Sequence, residues 1–127
     1  MRKNAFTLME LMLTVIVIAI LVSIAIPNYI NTVERARARE ARATLESMRA
    51  AEQTYASERR TLQILGVGDL PWTSVGLENP NKNARRSWEY DFDDLTQTGT
   101  AKRKSGPYTD WTITLGLDGT EGGSNGP

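Results

Sequence analysis

Two carboxylates spaced two residues apart, Asp91 and Asp93, are the residues whose type and spacing first suggest catalysis. A pair of carboxylates can hydrolyse a glycosidic bond, because one supplies a proton while the other acts as base or nucleophile. Both belong to an alternating segment and would lie on one face of a strand, but no neighbouring segment is typical of a pocket. The basic run Lys102–Lys104 offers these acids cationic partners, so the sequence favours a structural role over a hydrolase site.

Other catalytic and metal-binding groups are scarce in this chain. Its 127 residues include no His and no Cys. Histidine is the commonest general base and transition-metal ligand, and disulfides and thiolate sites need cysteine. The 15 basic and 15 acidic residues give a formal net charge of zero, which disfavours bulk attraction to nucleic acid or anionic lipid. The composition therefore disfavours nucleophilic triads, zinc sites and haem ligation, and an enzyme would have to rely on carboxylates, Lys or Tyr. We predict a protein that is not an enzyme and has no cofactor.

Glu10 stands out because of its surroundings. From Phe6 to Ile26 there are 21 residues, and Glu10 is the only charged one among them. A helix of this length is about 30 Å long, which matches the hydrocarbon core of a bilayer. A carboxylate inside such a segment is costly and is by default a functional-site hypothesis.

Three ordinary interpretations of the apolar segment compete. A buried helix of a soluble domain would need a larger surrounding core than the rest of the chain offers. A cleaved secretory signal would show a small-residue site after the apolar run, whereas Ile26 is followed by Pro27-Asn28-Tyr29. A plain membrane anchor fits the length but leaves Glu10 without a counter-charge.

Cleavage between Ala5 and Phe6 would supply such a counter-charge. The small residue Ala5 separates a short basic start from the apolar run, and a cut after it would give Phe6 a cationic amine. That amine lies too close along its own helix to pair well with Glu10. A second copy, shifted along an assembly axis, could bring its amine to Glu10, and each charge would lower the cost of the other in a low dielectric.

The stretch Lys3-Asn4-Ala5-Phe6-Thr7-Leu8-Met9-Glu10-Leu11, followed by Pro27-Asn28-Tyr29, resembles the N-terminus of type IV pilins and of type II secretion pseudopilins. The resemblance implies that a prepilin peptidase cuts after Ala5 on the cytoplasmic side and that the new N-terminus at Phe6 is methylated. It also implies that Glu10 is the acidic residue that guides docking into a growing filament. The family usually has Gly before the cut, where this chain has Ala5.

This resemblance implies a filament subunit whose partners are other copies, the prepilin peptidase, the inner membrane before assembly, and pilus or secretion assembly machinery. The precursor would sit in the inner membrane with its N-terminus cytoplasmic and its C-terminal part periplasmic, and would then enter an extracellular pilus or a periplasmic pseudopilus. We favour a type IV pilin. The alternatives are a pseudopilin and, less favoured, a monomeric membrane-anchored binding protein.

The charges flanking the apolar segment do not agree on its orientation. Arg2 and Lys3 favour a cytoplasmic N-terminus, whereas the arginines that follow the segment oppose it. We adopt the cytoplasmic N-terminus because the leader match requires it. Those arginines, Arg35 to Arg42, are interleaved with Glu34 and Glu40, so we interpret them as a solvated helix face or subunit contact and predict no specific nucleic acid.

The stretch from Gly116 to Gly123 resembles the C-terminus of major pseudopilins, in which an Asp helps to hold calcium. Asp118 matches that Asp, although the further acids expected downstream are missing. We therefore predict no metal site other than this weak calcium candidate. Bound calcium near Asp118 would favour the pseudopilin alternative.

The periodicities predict an α+β fold. Residues 33–60 are rich in helix formers, and Ala41, Leu45, Met48 and Tyr55 mark one apolar face. Pro27 predicts a kink, and a role in assembly, within one long helix rather than its end. Alternation over 88–93 and 111–117 predicts two or three antiparallel strands that pack on that apolar face. The predicted divisions are a leader at 1–5, an apolar helix at 6–27, an amphipathic helix at 28–64, and a loop, small sheet and flexible tail at 65–127.

Overall fold

The computed structural model describes residues 4–66, 68–124 and 126–127. The helices are α1 (Leu8–Arg59) and the short α2 (Asp69–Ser74), followed by a 3-10 turn at Pro80–Lys82. Four strands follow, namely β1 (Trp88–Asp93), β2 (Thr98–Arg103), β3 (Thr112–Gly116) and β4 (Glu121–Ser124). They form one antiparallel sheet in the order β1-β2-β3-β4. The predicted α+β class, a long N-terminal helix with a small antiparallel sheet, is confirmed.

The chain divides into two compact units. The first ends at Glu34, and the second, which we call the head, comprises Arg35–Pro127. The boundary falls within α1, so that helix contributes residues to both units. The predicted division at 27/28 and at 64/65 stays a prediction.

The head is built around one apolar core between its part of α1 and the sheet. Buried residues of the helix recur every three or four positions, which places them on one face. They are Ala38, Ala41, Leu45 and Met48. The sheet contributes Trp88, Tyr90, Phe92, Ala101, Ile113 and Leu115 to the same cluster, and Trp111, just before β3, also belongs to it. The sequence patterns predict a core of Leu45, Met48, Tyr55, Trp88, Tyr90, Phe92, Trp111, Ile113 and Leu115. All are buried except Tyr55, which is half-buried.

The core of the head has one close approach between sheet and helix and one cluster of aromatic rings with an arginine. Gly99 of β2 lies under Leu45, and a Cβ at this position would come within 3.2 Å of Leu45 Cδ2. The ring of Trp88 meets the ring of Trp111 edge-on, with centroids 5.2 Å apart, and the guanidinium of Arg103 lies 5.7 Å from the Trp88 ring centroid. These contacts bury a cation against aromatic faces, which is a favourable arrangement for Arg.

The strand count differs from the sequence prediction, which was two or three. β4 occupies Glu121–Ser124, within the stretch predicted to be a flexible tail, and pairs with β3 along residues 112–115. A turn at Asp118 and Gly119, with Gly119 at a φ of 91°, lets the chain reverse between these strands. β4 is short and has glycines at two of its positions, so the sequence shows no apolar alternation from which this strand could be predicted.

Asn81 seals the outer edge of β1. Its Oδ1 accepts the backbone N–H of Tyr90 at 2.8 Å, and its Nδ2 donates to the Tyr90 carbonyl at 2.6 Å. Beside it, Leu65 exchanges two backbone hydrogen bonds with Phe92. Tyr90 and Phe92 are therefore satisfied on the side of β1 that carries no fifth strand. The sequence predicted only a loop here, because the partner of Asn81 is a backbone group nine residues away.

Glu52 is a fully buried carboxylate on the core face of α1. Its Oε2 accepts the Gln63 N–H at 2.9 Å, whereas its Oε1 has no hydrogen-bond partner among the residues that the structure describes. Burial raises the pKa of this carboxyl; the bond from Gln63 opposes the rise and the charge of Asp94 adds to it. The native state therefore holds a proton that the unfolded chain releases near the ordinary pKa of 4.5. The free energy of unfolding falls as pH rises from there through the native pKa.

We expect Glu52→Gln to raise the free energy of unfolding at pH 7 by about 1 kcal/mol, because a neutral amide is cheaper to bury than an ionised carboxylate. Near pH 4 the gain should vanish, since Glu52 is then protonated in both states. Thermal unfolding of the detergent-solubilised full chain between pH 4 and 8 measures this difference. Glu58→Gln, at an exposed position of the same helix, is the control. Parallel pH profiles for the wild type and Glu52→Gln would contradict the prediction.

Candidate assembly site at the start of the first helix

The start of α1 is closed by a reciprocal cap between Thr7 and Glu10. The Glu10 N–H donates to Thr7 Oγ1 at 3.2 Å, and Glu10 Oε2 accepts the Thr7 N–H at 2.7 Å and its hydroxyl at 3.0 Å. This is the capping-box arrangement of a Thr followed three residues later by Glu. The positive end of the helix dipole also stabilises a carboxylate at this position.

This cap gives Glu10 a partner that the sequence analysis does not predict. Thr7 lies three residues before Glu10 and binds one of its oxygens through hydrogen bonds, but it supplies no counter-charge. The signal was present in the sequence as Thr7-Leu8-Met9-Glu10, the signature of a helix start. Oε1 of Glu10 accepts no hydrogen bond from any residue that the structure describes. One oxygen therefore holds the helix start, and the other is available.

The predicted cut site lies immediately before the helix. Asn4 to Thr7 have no helical or strand assignment, and all four residues are exposed. Asn4, Ala5, Phe6 and Glu10 line one open cleft. The Ala5–Phe6 bond is thus in an accessible, irregular segment, which is the kind of backbone a peptidase can bind. Arg2 and Lys3, the basic residues of the predicted leader, lie outside the described residues.

The apolar side chains that follow are exposed rather than packed. From Phe6 to Ile26 the large apolar side chains have exposed fractions between 45% and 82%. They are Phe6, Leu8, Met9, Leu11, Met12, Leu13, Val15, Ile16, Val17, Ile18, Ile20, Leu21, Val22, Ile24 and Ile26. By length and composition α1 is able to cross a membrane. An exposed apolar surface of this size indicates a lipid or protein partner.

Pro27 lies inside α1, which runs from Leu8 to Arg59 without interruption. Pro has no N–H to donate to the carbonyl of Ser23, so one bond of the helix ladder is lost here. Polar side chains on both sides of Pro27 donate hydrogen bonds to backbone carbonyls. Ser23 Oγ donates to the Ile20 carbonyl at 2.7 Å, and Asn28 Nδ2 donates to the Ile24 carbonyl at 3.3 Å. The helix therefore continues past Pro27, as predicted, and its part in assembly stays a prediction.

The remaining sequence candidates lie in the head. Asp118 Oδ1 accepts the N–H and hydroxyl of Thr120, at 2.9 and 2.7 Å, and so fixes the turn before β4. These bonds lower the pKa of Asp118. Among the described residues no group of three or more His, Cys, Asp or Glu side chains is placed to hold a metal ion. The calcium candidate stays a prediction. In this structure Asp118 is hydrogen-bonded to Thr120.

Comparison with known proteins finds a partial likeness to a pilin. No protein-family model matches the chain. Over 58 residues, 46% of its length, the chain is 41% identical to the type IV major pilin protein PilA of Myxococcus xanthus. The match supports a type IV pilin family for this chain. It spans only 26% of the length of that pilin, so the likeness does not extend to the whole relative.

The pilin family fits what the structure shows of the first helix. A long apolar N-terminal helix with a single acidic residue in its first turn is present in the fold. Asp91 and Asp93, the pair first considered for catalysis, lie exposed on the outer face of β1. The residues predicted for processing and assembly, Ala5, Phe6 and Glu10, lie together at the start of α1, and their role stays a prediction.

Proposed function

We propose that this chain is a type IV pilin, a structural subunit that polymerises through α1 into a cell-surface filament. The precursor is inserted in the inner membrane with a cytoplasmic N-terminus, and a prepilin peptidase cuts it between Ala5 and Phe6. The single observation that carries this proposal is the exposed apolar length of α1 with Glu10 in its first turn. The partial match to a major pilin supports it.

Glu10 has a specific part in this mechanism. Its Oε2 remains hydrogen-bonded to Thr7 and keeps the helix start formed. Its Oε1 accepts a hydrogen bond from the cationic amine of Phe6 of a neighbouring copy. In an apolar filament core this pair is much stronger than in water. A neighbour displaced along the axis would leave both charges unpaired, which is costly, so the pair selects one axial register.

The apolar residues supply the remaining contacts. Leaving lipid for neighbouring helices gains little hydrophobic free energy, because lipid tails are as apolar as Leu or Ile. Close packing between helices and the Glu10 pair must therefore provide the stabilisation. The match to a major pilin favours this function over a pseudopilin. It also favours it over a monomeric anchored protein, for which Glu10 would need no partner.

The test compares filaments from cells with and without this gene and measures the intact mass of the subunit. We expect filaments only in cells with the gene, and a subunit mass that begins at Phe6. A subunit mass that still contains Met1 to Ala5, or filaments that persist without the gene, would overturn the proposal. Bound calcium together with loss of protein secretion in the deletion strain would reassign the chain to the pseudopilins.

A further inference from the structure

Two oppositely charged sets of side chains in the head have no ion-pair partner in the described part of the chain. Arg35 and Arg39 are exposed on successive turns of α1. Asp91 and Asp93 are exposed on β1. Other charges of the head are paired at short distances, for example Glu89 with Lys104 at 2.9 Å. The charges of these four side chains are therefore available to partners from outside the subunit.

The two acids lie on the face of the sheet that points away from the core. Along β1 they alternate with Tyr90 and Phe92, which are buried on the inner face. Their cross-strand neighbours on β2 are threonines rather than lysines or arginines. Glu89, on the same face, is bound by Arg86 as well as by Lys104. On the outer face of β1, the charge of Glu89 is therefore neutralised, whereas the following part of the strand, with Asp91 and Asp93, is negative.

The cost of this arrangement is visible at Asp91. Although Asp91 is exposed as a residue, partial desolvation of its carboxyl raises its pKa; the charges of Glu89 and Asp93 raise it further, and a bond from Thr100 opposes the rise. The ionised form of Asp91 is thus penalised within a single subunit. A cation brought to this face would remove part of that penalty.

An exposed apolar side chain lies next to these acids. Asp93 accepts the Leu95 N–H at 3.1 Å and the Thr96 hydroxyl at 3.0 Å, which fixes the turn after β1. Leu95 itself is 88% exposed. The turn therefore presents one apolar side chain beside a negative sheet face, and the stem of an arginine could cover that side chain.

The two arginines form a positive patch whose charges repel each other. Arg35 and Arg39 are four residues apart on one helix, where like charges repel each other. Glu40 is exposed beside Arg39 but forms no ion pair within the described residues. A carboxylate from outside the subunit would relieve the repulsion between the two guanidinium groups.

We propose that Arg35 and Arg39 of one copy dock against Asp91, Asp93 and Leu95 of the next copy in the filament. The inference rests on the proposed filament function and names the second contact between its subunits. The two patches are different regions of the head, so the contact is head-to-tail. A contact of this kind propagates into an open helical array instead of closing into a dimer.

The chain has no cysteine, so introduced cysteines report this contact without background. Arg39→Cys combined with Leu95→Cys should give a ladder of covalent oligomers when filaments are oxidised. The control combines Arg39→Cys with Ser105→Cys, which is exposed in the loop between β2 and β3, at the opposite end of the sheet from Leu95. That control should stay monomeric under the same conditions. Filaments that form normally but give no ladder with Leu95→Cys would overturn the contact.

A charge reversal covers the case in which the cysteine variants form no filaments. Arg35→Glu with Arg39→Glu should lower filament yield at least tenfold while cleavage after Ala5 continues, and adding Asp91→Lys should restore most of it. Arg59→Glu with Arg60→Glu, the same change of charge elsewhere, should leave the yield within about twofold of wild type. Unchanged yield for the first variant would refute the contact and leave the filament function standing. Absence of filaments from wild-type cells would instead refute the filament function.

Discussion

Glu10→Gln is expected to reduce filament yield by about 100-fold or more while leaving the start of α1 formed. The amide oxygen of Gln can still accept the Thr7 N–H, since Gln serves as well as Glu in this capping arrangement. What it cannot supply is a negative charge for the neighbour's Phe6 amine. Removing one partner of a buried ion pair costs about 3–5 kcal/mol, which is more than a 100-fold change in an association constant. Quantifying sheared filaments against total subunit measures this loss.

Two further variants separate the charge of Glu10 from its cap. Glu10→Ala removes both and should be as deficient as Glu10→Gln. Thr7→Ala keeps the carboxylate but loses the hydroxyl that binds Oε2 and the Glu10 N–H, which should cost about 1 kcal/mol of helix stability. Its filament yield should fall only several-fold. If Glu10→Gln filaments form in normal amounts while Thr7→Ala abolishes them, then Glu10 acts as a helix cap and not as a counter-charge.

Ala5→Leu is expected to leave the precursor uncut and the cells without filaments. The Ala5–Phe6 bond lies in an exposed, irregular segment, so the side chain before it is what a peptidase must accommodate. An uncut chain keeps a neutral amide at Phe6, and a neighbouring Glu10 then has no cation to bind. The intact mass of membrane-bound subunit should include Met1 to Ala5, with the cut form reduced at least tenfold.

Ala5→Gly is the matched control for this variant. Gly is the usual residue before the cut in the family that this N-terminus resembles, so the cut form should be at least as abundant as in wild type. Filament yield should be unchanged or higher. Filaments assembled from uncut Ala5→Leu subunits would show that the Phe6 amine is dispensable, and the Glu10 mechanism would then have to be abandoned.

Periodic features of the sequence predicted the fold well. The spacing of Leu45 and Met48 identified the buried helix face, and alternation through Trp88, Tyr90 and Phe92 identified the inner face of β1. Such patterns repeat over several residues, so they can be recognised in the sequence without knowing which residues pack against them. The α+β class followed from one helical and two alternating segments.

The features that were missed depend on single, non-periodic contacts. β4 is four residues long and contains Gly122 and Gly123, so its pairing with β3 had no apolar signal. Asn81 acts through its amide on a distant backbone, and loop composition does not show such a bond. The cap between Thr7 and Glu10 was legible as a local motif, but the unusual setting of an acid in an apolar run drew the interpretation towards a remote partner.

The amide of Asn81 has a consequence for how crowded these subunits can be. A bare strand border is a template on which another chain can add, and such growth leads to aggregates of the amyloid type. On β1 the groups of Tyr90 that would nucleate this growth are already occupied by one side chain, and those of Phe92 by Leu65. In the proposed filament, heads at high local concentration would then meet at the β1 edge through side chains, without adding strand to strand there.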